Sequence, residues 1–283
     1  MPLSVVLPAK SESAAIGHTV TAILRFYPQA EVIVVNDGST DDTVQVATQA
    51  GATVISHPYS KGNGAAIKTG ARAASGDVIV FMDADGQHDP ADIPRLLARL
   101  DQGYDMVVGA RQKGSQASVG RGVANGFYNR LASYMTGHKV EDLTSGFRVV
   151  RADKFREFLY LLPNGFSYPT TSTMAFFRAG YSVAYEPIHA AKRIGKSHIR
   201  LLRDGARFLL IIFKIGSLYS PLKLFLPLAL LLFALGTGWY GFTYFAIRRF
   251  TNMSVLLYVG SVMVFLMGLI SEQITALMYQ DKR

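Results

Sequence analysis

Leu224 to Ile247 runs 24 residues without a charged side chain, and Met253 to Ser271 runs a further 19. About 20 apolar residues in a helix cross the roughly 30 Å of hydrocarbon in a bilayer, so each stretch is long enough to span one. Two buried core helices of a water-soluble protein are the alternative, and they rarely reach such lengths. Arg248-Arg249 and a few polar residues separate the runs, which predicts a hairpin with spans at about 224–247 and 253–274. The hydrophobic content of 49% is high for a soluble chain, and the excess lies in this tail.

The charge is as unevenly placed as the hydrophobicity. The net charge is +9. Between Pro187 and Lys223 stand Lys192, Arg193, Lys196, Arg200, Arg203, Arg207, Lys214 and Lys223, opposed by Asp204 alone. Because this run leads into membrane-spanning sequence, anionic headgroups and phosphate substrates are its expected partners, and nucleic acid is not. Arginines mixed with Leu201, Leu202 and Phe208–Phe213 suit amphipathic helices in the membrane interface over 199–222. The basic cluster places the preceding domain on the cytoplasmic face of the plasma membrane, with Arg248-Arg249 outnumbered on the other side. With no cysteine, disulfides, thiolate metal sites and cysteine nucleophiles are excluded.

Residues 1–198 read differently. Strand-like runs at Leu3–Leu7, Glu31–Val35, Thr53–Ser56, Val78–Met82 and Met106–Gly109 alternate with helical stretches near Ser13–Phe26, Asp42–Ala50, Ala65–Ala74 and Ala91–Leu100. This alternation predicts βαβ units and a mostly parallel sheet. A further strand-like run covers Phe147–Val150.

Val78–Met82, apolar and β-branched, reads as a strand buried on both faces. It stops at Asp83-Ala-Asp-Gly-Gln87, and Asp89-Pro90 then resembles a helix cap followed by proline at the first helical position. Ligands of open α/β sheets bind beyond the carboxyl ends of the strands. On extended backbone, residues two apart share a side, so Asp83 and Asp85 would converge, and a hard cation with oxygen preference would relieve their repulsion. Solvated turn aspartates are the plainer reading. The first strand ends in Pro8-Ala-Lys-Ser-Glu12 and the second in Asn36-Asp-Gly-Ser-Thr-Asp-Asp42, at the same predicted edge. There Asp37 could accept from a base imide and Glu12 from ribose hydroxyls; a turn capped by Thr40 or Asp41 is the bland reading. Lys61-Gly-Asn-Gly precedes a helix but lacks the Gly-Lys-Ser/Thr ending of a P-loop, and no Gly-x-Gly-x-x-Gly follows the first strand. Asp142-Leu-Thr-Ser-Gly-Phe-Arg148 reads as a turn into a strand, with Asp142 and Arg148 able to pair.

Taken in order, Pro8–Glu12, Asn36–Asp42, Lys61–Gly64, Asp83–Pro90 and Asp142–Arg148 resemble the family 2 glycosyltransferases of GT-A fold, and within them the dolichyl/polyprenyl-phosphate sugar synthases. The resemblance covers most of residues 1–200. It implies a membrane enzyme that moves one sugar, with inversion, from a GDP- or UDP-sugar to a polyprenyl phosphate. It also implies a nucleotide-diphospho-sugar transferase domain, a divalent cation (Mg²⁺ or Mn²⁺) and room for a homo-oligomer. Carried over residue by residue, Pro8, Ala9, Glu12 and Asp37 would hold the nucleoside, and Asp83, Asp85 and Gln87 the metal and diphosphate, with Ala84 between them. Arg111 would face the donor phosphates. Arg121 and Asn125 would take the acceptor phosphate, and the Asp142–Arg148 segment would floor the acceptor site. Independently of the family, Lys192-Arg-Ile-Gly-Lys-Ser197 sets three cations, Arg193 and Lys196 among them, around a glycine, which suits a diphosphate. Because a phosphate monoester is already largely dianionic at neutral pH, Asp142 is expected to orient one of the cations rather than act as a base. Gln112–Gly122, polar and glycine-containing, suits a mobile lid. The family usually has Tyr-Asn where this chain has Lys10-Ser11, so that tyrosine's contacts to the base are not carried over. A processive polysaccharide synthase is the competing enzyme reading, but no Gln-x-x-Arg-Trp motif is present and Trp239 lies inside a span. A catalytically silent membrane scaffold is the competing non-enzyme reading.

Overall fold

The computed structural model describes residues 2–112, 119–165, 167–190, 213, 216–217 and 219–280. The chain forms two compact units, Met1–Tyr134 with His138–Leu201, and Met135–Gly137 with Leu202–Arg283.

The first unit is built on a seven-stranded sheet. Its strands are β1 (Leu3–Ala9), β2 (Glu31–Asn36), β3 (Thr53–Ser56), β4 (Val78–Phe81), β5 (Met106–Arg111), β6 (Arg148–Arg151) and β7 (Val183–Ile188), in the spatial order β3-β2-β1-β4-β6-β5-β7. Helices α1 (Ser13–Phe26), α2 (Thr43–Gln49), α3 (Asn63–Ala73), α4 (Ile93–Leu100), α5 (Val119–Thr136), α6 (Ala152–Arg156) and α7 (Tyr168–Arg178) connect them. One apolar layer packs β1, β2 and β4 side chains against α1 and α4 around Ile16, Val20, Ile23, Leu96 and Leu100. The other packs the opposite face against α3, α6 and α7 around Ile67, Phe155 and Phe176. All four residues of β4 are buried, as expected for a strand covered on both faces.

The sheet is not wholly parallel. Strand β6 runs antiparallel to both neighbours, with Phe81 opposite Arg148 on one side and Val107 opposite Val149 on the other. This reversal decides what reaches the site. Strands β1, β2, β4, β5 and β7 all deliver the residues that follow them to one edge. Reversed β6 delivers the residues that precede it, 142–147, to that same edge.

Four of the expected helices form within a residue or two of their expected positions. Asp89 caps a short 3₁₀ turn, Pro90–Asp92, by accepting from the Ala91 N–H at 2.9 Å. Helix α2 starts one residue later than expected, with Asp42 at its N-cap and no side-chain cap. Instead Asp41 accepts from the Ser13 N–H (3.2 Å) and from the Thr43 N–H (3.2 Å), tying α2 to α1.

The second unit holds α8 (Pro221–Ile247) and α9 (Asn252–Gln280). Only 11% and 17% of their apolar windows are buried, so they are not core helices: most of their leucines and phenylalanines face outward. They meet along small residues. A Cβ built on Gly236 would stand 3.2 Å from Leu257 and one on Gly268 would stand 2.8 Å from Phe225, while Ser261 donates to the Ala229 carbonyl at 2.8 Å. Close approach over small residues is how helices associate where no hydrophobic force separates protein from solvent. Glu272 accepts from the Leu222 N–H at 3.2 Å, satisfying one of the orphan donors in the first turn of α8.

Candidate active site

The turn after β4 brings the two aspartates into unequal surroundings. The chain turns at Ala84–Asp85, so the extended backbone expected to align Asp83 with Asp85 is replaced by a tight reversal, with Gly86 at φ +73°. Asp85 is buried and accepts from the Gln87 N–H at 3.1 Å. The side chain of Asp83 is 36% exposed and lies 3.6 Å from His88 Nε2. His88 is itself buried against the Phe147 ring, and its Nδ1 has no partner among the described residues. Continuing the β4–β6 register two residues outward from Phe81 and Arg148 puts Gly146 beside Asp83. A Cβ there would sit 2.7 Å from the carboxylate, so the Ser-Gly-Phe sequence needs glycine at that point to admit the aspartate.

Asp142 pairs with Arg111, not with Arg148. Arg111 Nε and Nη2 donate to its two oxygens at 2.8 and 2.9 Å, and the backbone N–H groups of Arg111, Thr144 and Ser145 donate as well. The reason is topological: β5 ends where the 142–147 loop begins, whereas Arg148 points into the opposite layer. Burial alone would raise the Asp142 carboxyl, but the Arg111 guanidinium beside it holds it below the usual range. Burial works equally against the Arg111 charge, and Asp142 more than restores it. Bidentate pairing of this kind fixes the guanidinium in one orientation.

Asp37 is saturated by its own chain. His57 Nδ1 (2.8 Å) and the Lys61 N–H (2.7 Å) meet one oxygen; Ser60 Oγ (2.7 Å) and the Gly62 N–H (2.9 Å) meet the other. Burial opposes ionisation there, yet these four donors lower the carboxyl to about 2. Asp37 therefore orders the 57–62 loop, and the lone pairs expected to meet a base imide are engaged within the chain. Lys10, at the position where the family has tyrosine, donates to Ser60 Oγ at 2.9 Å and so joins the same network. Glu12 caps α1 through its carbonyl while its N–H donates to Thr43 Oγ1 at 3.0 Å. Pro8 and Ala9 close β1, half-buried and buried.

Lys61-Gly-Asn-Gly is a docking turn. Gly62, at φ +102°, and Gly64 press on the backbone of residues 163–165, where a Cβ would come within 2.5 and 2.0 Å of the Asn164 and Pro163 carbonyls. That contact brings Asn63 to the rim of a cleft of about 90 Å³ lined also by Asp83, Thr144, Gly146, Ser167, Tyr168 and Thr170. The 167–170 wall and α7 were not legible in the sequence; neither was His57. The backbone of Arg121 and Asn125 falls on α5, but their side chains lie outside the described residues, as do Arg193, Lys196 and most of 199–222.

A profile of glycosyl transferase family 2 matches residues 4–159, which is more than half of the sequence. The chain belongs to that family. A second profile, the GtrB C-terminal hairpin, matches residues 220–277 and covers α8 and α9. With their outward-facing apolar surfaces, this makes the chain an integral membrane protein. An undecaprenyl-phosphate 4-deoxy-4-formamido-L-arabinose transferase of Klebsiella pneumoniae subsp. pneumoniae is 34% identical over 159 residues, 53% of this chain and 48% of the relative. The chain thus spans about half the length of the curated relatives it matches. Glucosyl-3-phosphoglycerate synthase of Mycobacterium tuberculosis, solved with Mn²⁺, UDP-glucose and phosphoglyceric acid, superposes with a TM-score of 0.63 at 25% identity, covering 76% of this chain and 79% of that one. Its complex with Mn²⁺, UDP and glucosyl-3-phosphoglycerate gives 0.60.

Proposed function

We propose that the protein transfers a single sugar, with inversion, from a nucleoside-diphosphate sugar to a polyprenyl phosphate at the cytoplasmic face of the membrane. The observation that carries this reading is one sheet edge, in a chain with a membrane hairpin, that collects Asp83, Asp85 and the Arg111–Asp142 clamp.

Among the described residues, no three His, Asp or Glu side chains gather into a metal cage. The donor set fits a different kind of site. Mg²⁺ and similar hard cations use one or two carboxylates and complete their shell with substrate phosphates and water. Asp83 and Asp85, with Gln87, are that set. When bound, the cation supplies charge neutralisation of the leaving diphosphate. The neighbour's Mn²⁺ and UDP support a divalent cation and a nucleoside diphosphate, with Mg²⁺ and GDP as the alternatives.

The chain's own residues supply positioning. The loops closed by Pro8, Ala9, Glu12 and Asp37 shape the nucleoside end. Arg111, held by Asp142, presents a fixed cation to the donor phosphates. Arg121 and Asn125, whose backbone lies on α5, would receive the acceptor phosphate, and Arg193 and Lys196 would add positive charge for the diphosphate. No side chain needs to act as base. Like a phosphorylated side chain, a phosphate monoester has its second pKa near 6, so the acceptor is already largely dianionic at neutral pH. Asp142, whose oxygens are engaged by donors, is a positioning residue here.

The test is direct. The full chain in lipid nanodiscs is incubated with Mg²⁺ or Mn²⁺, undecaprenyl or dolichyl phosphate and a panel of labelled UDP- and GDP-sugars, and the lipid is extracted. Label in the lipid phase, abolished by EDTA and reduced roughly a thousandfold by Asp85→Asn, is expected. Turnover unchanged by either treatment refutes the reading.

A further inference from the structure

Arg148 is the most anomalous charge in the domain. It is fully buried, and among the described residues no carboxylate stands within 4.0 Å of it. Its Nη1 donates to the Pro169 carbonyl (2.9 Å), Ser172 Oγ (2.8 Å) and Thr173 Oγ1 (3.2 Å); its Nη2 donates to the Ser145 carbonyl; its Nε has no partner. The guanidinium lies 5.6 Å from the centre of the Tyr168 ring. Every partner is neutral. A guanidinium stays protonated at any working pH, so a whole positive charge is kept in the core without a counterion in contact. Such a charge is expensive to bury.

What lies around it explains its retention. Arg148 grips Ser145 from below, and Tyr168 Oη donates to the Gly146 carbonyl at 2.9 Å. Together they hold the two peptides that form the floor against which the Asp83 carboxylate rests. Burial pulls the Arg148 pKa below its ordinary value, and Tyr168 and Tyr185, then Asp142 and Asp83 at the candidate active edge, act through space to support the charge. The cation thus sits behind the floor of a site that must gather two or more carboxylates and a diphosphate.

We infer that Arg148 is a positioning residue for the donor diphosphate: its buried charge, held under the Ser145–Gly146 floor, offsets the negative charge that collects above it. The inference rests on the proposed nucleotide-sugar reading. Acting through protein rather than water, a unit charge roughly 10 Å away changes an anion's binding constant on the order of tenfold. An uncharged ligand of the same loops feels nothing.

The experiment compares a nucleoside diphosphate with its nucleoside. Dissociation constants of UDP and GDP, each with Mn²⁺, and of uridine and guanosine are measured on the full chain in nanodiscs, for wild type and two variants. Arg148→Gln removes the charge. Ser172→Asp leaves Arg148 in place and sets a carboxylate where a hydroxyl now accepts from it. In both variants the affinity for the bound diphosphate is expected to fall about tenfold, with nucleoside affinity within twofold of wild type. Arg148→Lys, which keeps the charge but not the fork, should stay within threefold for both ligands. A cooperatively melting Arg148→Gln or Ser172→Asp chain that binds the diphosphate as wild type does, or loses nucleoside and diphosphate alike, overturns the inference. If the wild-type chain binds neither UDP nor GDP, the nucleotide-sugar reading itself has failed.

Discussion

Asp142 and Asp37 are each held by several donors, and the donors determine how each will respond to pH. Asp142 is kept ionised by Arg111 and by backbone N–H groups, so it does not titrate where the enzyme works. We therefore expect the transfer rate to rise with pH through roughly 6, following the acceptor phosphate, and then to level off. Asp142→Asn should slow transfer at least tenfold by releasing Arg111 while leaving the shape of that profile intact; loss of its acidic limb would make Asp142 the base. Asp37 acts on stability. Its folded value is about 2 against 3.8 for an ordinary aspartate, so its contribution is fully present above pH 4 and is lost as pH falls toward 2. Asp37→Asn should cost about 2 kcal/mol at neutral pH. Thermal melts should show the gap from wild type closing between pH 4 and 2, and a constant gap would disprove the assignment.

At the scale of elements, the hairpin depends on how closely α8 approaches α9. Gly268 faces Phe225 at a distance that leaves no room for a Cβ, while Gly260 on the same helix meets nothing within 4 Å. Gly268→Val should destabilise the hairpin by about 1–3 kcal/mol, the usual cost of overpacking. Gly260→Val should be neutral. Helix loss in SDS titrations, followed by circular dichroism, separates them, and equal midpoints would show that the approach is not limiting. Elements also divide by how readable they were. β1 to β5 announced themselves because each is a short apolar run between turn residues. β7 did not: Val183-Ala-Tyr-Glu-Pro-Ile188 sits at the sheet edge, only partly buried, and carries Glu186 and Pro187. α7 did not either. Its Thr170-Thr-Ser-Thr173 run has poor helix propensity, and the helix tolerates it because Thr171, Ser172 and Thr173 hydroxyls bond back to carbonyls four residues earlier. Arg148 was expected to be able to pair with Asp142, yet it is buried among neutral partners on α7 and the Ser145 carbonyl. The apolar Phe147 and Val149-Val150 on either side had marked the strand that runs through it.

Over the whole molecule, the site residues that sequence motifs marked came together wherever the sheet edge gathers them. What the motifs could not supply was the pairing of Asp142 with Arg111, which needs the strand order. The two units divide the labour we propose: the sheet binds nucleotide, and the basic segment and hairpin bring it to a long-chain lipid. A chain ending at residue 198 should therefore bind UDP or GDP with Mn²⁺ within about twofold of the full chain yet lose most transfer to undecaprenyl phosphate. Equal transfer by the two, measured on lipid vesicles, would reduce the tail to an anchor.

The reversed β6 has a consequence for how the protein is made. Strands β1 to β4 can assemble as soon as they leave the ribosome, but β4 then presents one open edge of Val78-Ile-Val-Phe81 until Arg148–Arg151 has been synthesised. An unpaired apolar edge is a template for association with other chains. During that interval the growing protein is most exposed to aggregation and to capture by chaperones, and completing β6 both seals the sheet and carries Gly146 up against Asp83.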